Sequence, residues 1–126
     1  MSFPTFQKLI ESVPDERIAE VAKEAAKDAP RSIILAKYGS ISLSSILEYL
    51  QMLSEYANFF EYSERESPNG RVITLYHKMG PKGSLFDLNY VKTLLEYVGY
   101  SPTITMGEHS VDFEILSNKI PKNMDF

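Results

Sequence analysis

The sequence predicts an α+β fold, in which N-terminal helices precede a four-stranded, mainly antiparallel sheet that is packed by a helix. Apolar residues recur at helical spacing over residues 14–28, 43–57 and 85–98. The segments that follow the last two of these are rich in β-branched and aromatic residues, and each contains a turn signal, SPNG or GEHS. The chain has 126 residues, of which 44% are hydrophobic and 24% charged, so it is most simply one domain with its own core.

The N-terminal part of the chain predicts two helices. PTFQKLIES has the spacing of a short helix, and a longer one is predicted over residues 14–28. Ser12 and Asp15 suggest a capping pair for the longer helix, with Pro14 tolerated in its first turn. Its predicted buried face consists of apolar residues at helical spacing: Ile18, Val21, Ala22, Ala25 and Ala29.

The next segment, PRSIILAKYG, is open to two interpretations. Pro30 could begin a helix and Gly39 could end it in a left-handed conformation. The run of Ile33, Ile34 and Leu35 could equally be a short buried strand, because periodicity does not separate the two over so few residues. We favour the helix.

A similarity between two later segments bears on this choice. LEYLQMLSEYANF (47–59) and LNYVKTLLEYVGY (88–100) match in residue type at most positions. Two amphipathic helices produce much of such a match by chance, and we favour that explanation. If the repeat is real, residues 31–37 form a strand and the fold becomes a ferredoxin-like βαββαβ arrangement.

The helix at 43–57 has a clear start and a clear buried face. Ser42 is a natural N-cap, and Ile41 before it is placed to pack against Ile46. The predicted buried stripe consists of Leu43, Ile46, Leu47, Leu50, Leu53 and Ala57.

Two antiparallel strands are predicted after this helix, over residues 59–65 and 71–78. Between them lies SPNG, in which the pair Asn69 and Gly70 suits the positive φ angles of a tight hairpin turn.

The second half of the sheet follows the last predicted helix, at 85–98. Ser84 and Asp87 form its predicted capping pair, and Gly99 its stop. PTITM and SVDFEIL then predict two strands joined by the GEHS turn. The tail at 117–126 is polar, and we expect it to be loosely ordered.

Composition excludes several classes of function. With no cysteine, the chain has no disulfide, thiolate zinc site or iron–sulfur cluster, and we expect no cofactor. The net charge of −4 and the scattered Lys and Arg residues argue against direct binding of nucleic acid. No apolar run is long enough to span a membrane, and the first residues lack a secretory signal pattern, so a cytoplasmic location is expected.

HKMGPKGS is the stretch most suggestive of a binding site. It joins a predicted strand to a helix, and its backbone N–H groups near the helix N-terminus, together with Lys82, could hold a phosphate or carboxylate. The candidate anion-binding residues are His77, Gly80, Lys82, Gly83 and Ser84. The spacing matches neither GxxxxGK[ST] nor GxGxxG, so a plain turn with Ser84 as helix cap is the favoured interpretation.

The other polar residues do not form a catalytic constellation. His77 could act as an acid or base, but a strand-end histidine bonded to a backbone carbonyl is the simpler interpretation. His109 falls in a turn, and no pair of residues has metal-ligand spacing. Ser84 lacks the GxSxG context of a nucleophile. The remaining carboxylates are scattered: Asp87, Asp112 and Glu114.

Aromatic residues crowd the chain from the second long helix onward. They are Tyr49, Tyr56, Phe59, Phe60, Tyr62, Tyr76, Tyr90, Tyr97 and Tyr100. A domain of this size cannot bury them all, and tyrosine is enriched at interfaces. The surplus therefore predicts self-association, or else a ligand groove between helix and sheet.

From HKMGPKGSLFDLNYVKTLL onward, together with ISLSSILEYLQMLSEYANFFEYSE before it, the chain resembles small archaeal α+β proteins of unassigned activity. The shared features are a helix leading into a strand, an H-x-x-G-x-K-x-S stretch, a further helix and a final hairpin. Some of these proteins look fused to a ribbon-helix-helix DNA-binding segment, which implies a sensor or oligomerisation role for the shared part. This chain lacks the basic strand-plus-two-helix segment, so the DNA-binding role does not carry over.

These observations lead to two hypotheses about function. The first is a non-enzymatic, self-associating binding or regulatory module, a homo-oligomer without a membrane or nucleic-acid partner. The alternative is a protein or small enzyme that binds a small anion or phosphometabolite through the loop at 77–84.

Overall fold

A computed structural model describes residues 3–116 of the chain, and it has the α+β architecture that the sequence predicts. The elements in order are α1 (Phe3–Glu11), α2 (Asp15–Lys27), α3 (Ala29–Tyr38), α4 (Leu43–Met52), a π-helical segment (Leu53–Ala57), β1 (Glu61–Ser67), β2 (Gly70–Tyr76), α5 (Pro81–Tyr97), β3 (Thr103–Met106) and β4 (Ser110–Leu116). Within these residues no helix is long and apolar enough to cross a membrane. The prediction for the tail at 117–126 lies outside the described residues.

The four strands form one antiparallel sheet in the order β1-β2-β4-β3. The two hairpins, β1–β2 and β3–β4, meet through β2 and β4, where Ile73 pairs with Phe113. Both side chains are buried, and they belong to the core that lies between the sheet and helices α4 and α5. The predicted helix over 30–39 is confirmed as α3, which ends at Gly39 with φ of 82°. The ferredoxin-like alternative is therefore wrong, because it needs a strand where α3 lies.

The similarity at an offset of 41 residues corresponds to a repeated helix–hairpin order: α4 is followed by β1 and β2, and α5 by β3 and β4. Residues at matching positions of the two halves have similar backbone conformations and contacts. Asn58 and Gly99 both have left-handed backbone just after their helices, with φ of 56° and 92°. The hydroxyls of Tyr49 and Tyr90, also 41 residues apart, lie 3.0 Å from each other. Contact between equivalent residues is what a two-fold arrangement produces, and the symmetric strand order agrees with it.

The first hairpin turns one residue earlier than the sequence suggests. Ser67 pairs with Gly70, so Pro68 and Asn69 form the corner, and neither Asn69 nor Gly70 has a positive φ. The proposed turn geometry is wrong because proline fixes its own φ near −65°, the angle that the first corner position of a type I turn needs.

Helix α2 begins differently from the prediction. Pro14 occupies the N-cap position, and no side chain caps the helix. The Ser12 hydroxyl instead donates to the Leu9 carbonyl, 2.6 Å away, at the end of α1. The buried face is also narrower than expected, because Val21 is 38% exposed. The buried residues of α2 follow a spacing of four: Ile18, Ala22 and Ala26.

Helix α4 has the predicted cap but not the predicted end. Ser42 and Ser45 form a reciprocal capping box, in which the Ser45 N–H donates to the Ser42 hydroxyl oxygen and the Ser42 N–H to that of Ser45. The next residues form a π-helical segment, whose wider turn rotates later side chains away from an α-helical stripe. Ala57, predicted to be buried, is therefore exposed, and Tyr56 beside it is 81% exposed.

Candidate functional site

The HKMGPKGS stretch forms a tight joint between β2 and α5. Gly80 has φ of 77° and ψ of −167°, a conformation suited to glycine, and Pro81 begins the helix. Helix α5 therefore begins four residues before the predicted start at 85. A Cβ atom on Gly83 would lie 2.4 Å from the Cβ of Met79 and 3.0 Å from the ring of His77. Both glycines thus have a structural role that needs no ligand.

Ser84 does not cap α5, because it lies inside the first turn of the helix and is fully buried. Its hydroxyl donates to the Gly107 carbonyl oxygen, 2.6 Å away, in the turn between β3 and β4. The same oxygen lies 2.7 Å from Nε2 of His77. The predicted Ser84–Asp87 capping pair is therefore wrong, since Gly80 supplies the N-cap and Ser84 instead ties the helix to a distant turn.

His77 is 8% exposed, and both of its ring nitrogens have partners. The backbone N–H of Met79 donates to Nδ1 at 3.1 Å. The neutral ring therefore carries its proton on Nε2 and donates it to Ser84. Burial lowers the pKa of His77 below its ordinary value of 6.5, and the neighbouring His109 contributes a smaller part of this shift.

The pairing of a serine with a histidine does not make this a nucleophilic site. A general base must accept the serine proton, whereas Nε2 of His77 is here the donor. The serine proton is directed to the Gly107 carbonyl, and Ser84 is closed off from solvent. We therefore interpret the His77–Ser84 pair as a structural clamp.

Lys82, the cation of the proposed anion site, has partners within the chain. Its ammonium group donates to the Val13 carbonyl oxygen and lies 3.2 Å from a carboxylate oxygen of Asp15. The side chain therefore fastens α5 to the start of α2, next to a negative charge that would repel an anion. Anion binding at residues 77–84 stays a prediction.

The structure places a cavity of about 390 Å³ immediately beside the joint, between α1, α2, α4 and α5. Ile10, Ile18 and Leu53 supply aliphatic surface. Five aromatic residues also line it: Tyr49, Phe59, Phe60, Phe86 and Tyr90. Phe59 is 68% exposed, so the cavity opens to the surface beside that ring.

Asp87 is the carboxylate of this cavity. Burial raises its pKa from 3.8 to about 7, since removal from water disfavours the charged form. Within residues 3–116 no hydrogen bond or ion pair engages its carboxyl group. An apolar cavity with a titratable group of perturbed pKa is a common form of ligand site.

Two tyrosines complete the wall next to Asp87. The hydroxyl groups of Tyr49 and Tyr90 share a hydrogen bond, and the Phe86 ring stacks on that of Tyr90 with centroids 5.8 Å apart. Burial raises the pKa of Tyr90, and the bond to Tyr49 adds to this rise. The Tyr90 hydroxyl therefore stays neutral, and His77 is also neutral near pH 7, whereas Asp87 has a pKa of about 7 and changes its charge there.

Asp87 was not predicted to be a site residue, although its position in the sequence carries a signal. Asp87 precedes Tyr90 by three residues, Val91 by four and Leu94 by seven, which is the spacing of the inner face of α5. A carboxylate on the inner face of a helix needs an explanation. The predicted role of Asp87 in a helix cap provided one, so the sequence indicated no other role. Asp112, by contrast, lies on the face of the sheet that points away from the core. There it accepts a hydrogen bond from Thr74, 2.6 Å away.

In the part of the chain that the structure describes, no group of three or more His, Asp or Glu side chains could hold a metal ion. The chain matches no protein-family model, no curated protein and no solved structure. The case for a function therefore depends on the geometry of the cavity.

Proposed function

We propose that the protein is a non-enzymatic binding module that takes up a small, largely apolar molecule in the cavity between α1, α2, α4 and α5. The observation that carries this proposal is the cavity, with about 390 Å³ of space and a mostly aromatic and aliphatic wall, in which Asp87 is the one carboxylate among the described lining residues. Ligand sites commonly combine an apolar wall with few polar groups, in volumes of about 300 to 1,000 Å³.

The proposal can be tested with thermal unfolding in the presence of single-ring molecules that are neutral, cationic or anionic. A ligand that binds the folded state alone raises the midpoint, and the stabilisation grows with the logarithm of its concentration over its dissociation constant. We expect at least one of these classes to raise the midpoint of the wild-type protein. If none of them does so at millimolar concentration, the proposal is wrong.

A pair of matched variants locates the binding. Leu53→Phe places a bulkier aromatic side chain in the cavity wall and should abolish the stabilisation by the ligand. Leu9→Phe makes the same change at a residue of α1 that is 52% exposed and does not line the cavity, so it should bind like wild type. Equal stabilisation of both variants would place the ligand elsewhere.

Self-association is a second proposal, favoured by the exposed aromatic residues of the segment after α4. Tyr56 is 81% exposed and Phe59 68%, and exposed aromatic groups of this kind are typical of interfaces. We expect a dimer or larger assembly at micromolar concentration, weakened by the double change Tyr56→Ser and Phe59→Ser. Sedimentation as a monomer at about 100 μM, well above a typical specific dissociation constant, would contradict this proposal.

Four further expectations stay predictions. A regulatory role and an archaeal family follow only from the resemblance carried by the H-x-x-G-x-K-x-S stretch. A cytoplasmic location is expected because the sequence shows no secretory signal pattern and no long apolar run. Binding of phosphate at residues 77–84 is testable with Lys82→Ala, which should remove any phosphate-dependent stabilisation.

A further inference from the structure

The apolar wall sets the shape of the ligand that the cavity can hold, and Asp87 adds a preference for the charge of that ligand. Asp87 is partly buried in an apolar wall, where ionisation without a partner is costly, and a cation that provides both charge and hydrogen-bond donors would stabilise the ionised form. Asp87 has no such partner among the described residues. The pKa of Tyr90 is raised and that of His77 is lowered, so both side chains are neutral near pH 7 and neither repels a cation or replaces one.

The aromatic wall suits the same kind of ligand. Five aromatic rings line the cavity. The face of such a ring attracts a cation, with a gain of about 0.5–2 kcal/mol that is largest where water is excluded. Phe86 and Tyr90 stack with their planes 18° apart, one turn along the helix that carries Asp87. A wall that combines aromatic rings with a carboxylate is suited to a ligand that has both a positive group and an apolar body.

We infer that the cavity binds a small amine, whose ammonium group pairs with the Asp87 carboxylate while its apolar body lies among the aromatic rings. This inference rests on the proposed function and deepens it by naming the class of ligand. The cavity lies near the lower limit of the usual volume range, which suits a body of one ring or a short branched chain.

The protonation of Asp87 couples binding to pH. Its carboxyl group has a pKa of about 7, so it must lose a proton before it can pair with an ammonium ion. Between pH 6 and pH 8 the ionised fraction rises about tenfold, while a simple alkylamine stays protonated. Binding of an amine should therefore strengthen about tenfold over this interval and release a proton, whereas a neutral molecule of the same shape should show no such dependence.

The test compares benzylamine with benzyl alcohol by isothermal titration calorimetry at pH 6 and pH 8. The proteins are wild type, Asp87→Asn and Asp112→Asn, where the last makes the same change to a carboxylate on the other face of the sheet. We expect wild type at pH 8 to bind benzylamine at least about tenfold more tightly than benzyl alcohol. Asp87→Asn should lose this preference and Asp112→Asn should keep it.

The outcomes separate this inference from the proposed function. If benzyl alcohol binds as tightly as benzylamine at both pH values, the cavity is a ligand site but the inference of an amine is wrong. If neither probe binds, the inference of an amine is wrong, and the proposed function is wrong too unless an anionic single-ring molecule stabilises the protein. Should Asp87→Asn fail to fold, the wild-type titrations still decide, because the tenfold rise with pH must occur for benzylamine and be absent for benzyl alcohol.

Discussion

The change Ser84→Ala tests the clamp between β2, α5 and the turn before β4. In the folded protein the Ser84 hydroxyl accepts the Nε2 proton of His77 at 2.7 Å and donates to the Gly107 carbonyl at 2.6 Å. Alanine removes both bonds and leaves the histidine N–H without a partner in a site where His77 is 8% exposed. Gly107 is exposed, so water can reach its carbonyl.

The magnitude follows from these contacts. A buried donor without a partner costs about 1–3 kcal/mol, and the lost bond to Gly107 contributes about 0.5–1.5 kcal/mol. The higher helix propensity of alanine recovers about 0.5 kcal/mol. We therefore expect Ser84→Ala to lower the free energy of unfolding by about 1–4 kcal/mol. Ser42→Ala, the same change at a true N-cap, should cost about 0.5–2 kcal/mol.

Urea denaturation at pH 7.5 measures both free energies, and nuclear magnetic resonance of the His77 ring nitrogens gives an independent readout. We expect the tautomer with its proton on Nε2, because Nδ1 accepts from Met79. If Ser84→Ala costs no more than Ser42→Ala, or if the ring proton lies on Nδ1, the clamp has been assigned incorrectly.

Three other changes test the core, the joint and the cavity. Leu50→Ala removes a fully buried side chain of α4 and should lower the free energy of unfolding by about 2–5 kcal/mol; an unchanged urea midpoint would contradict the packing described for α4. Gly83→Ala should destabilise the protein although alanine favours helices, since its Cβ would lie 2.4 Å from that of Met79; a rise in melting temperature would show that the loop yields easily. Asp87→Asn should stabilise the ligand-free protein at pH 8: the pKa of Asp87 is about 7 in the folded protein and 3.8 in its ordinary state, so ionisation favours unfolding as the pH rises from about 4 to 7. Equal stabilities of Asp87→Asn and wild type at pH 8 would show that the carboxyl group is well solvated.

Local signals were enough to predict most helices and strands of this fold. The π segment after α4 and the early start of α5 were missed, while the strands predicted at 59–65 and 71–78 lie at 61–67 and 70–76. Periodicity and turn residues act over a few neighbouring positions, so they can be recognised from the sequence alone. The cap at Ser42 and the stop at Gly99, whose N–H donates to the Glu96 carbonyl, are of the same kind.

The roles of the polar residues in the joint and the cavity were decided by the tertiary structure. Ser84 matches the local pattern of a helix cap, yet its partners lie 7 and 23 residues away along the chain. Asp87 likewise matches a capping position, and it becomes a candidate ligand group only where α1, α2 and α4 close an apolar wall around it. Helix capping depends only on the next three residues along the chain, so it can be predicted from the sequence. Burial and its effect on the pKa of Asp87 depend on which distant side chains exclude water, and only the folded chain brings those side chains together.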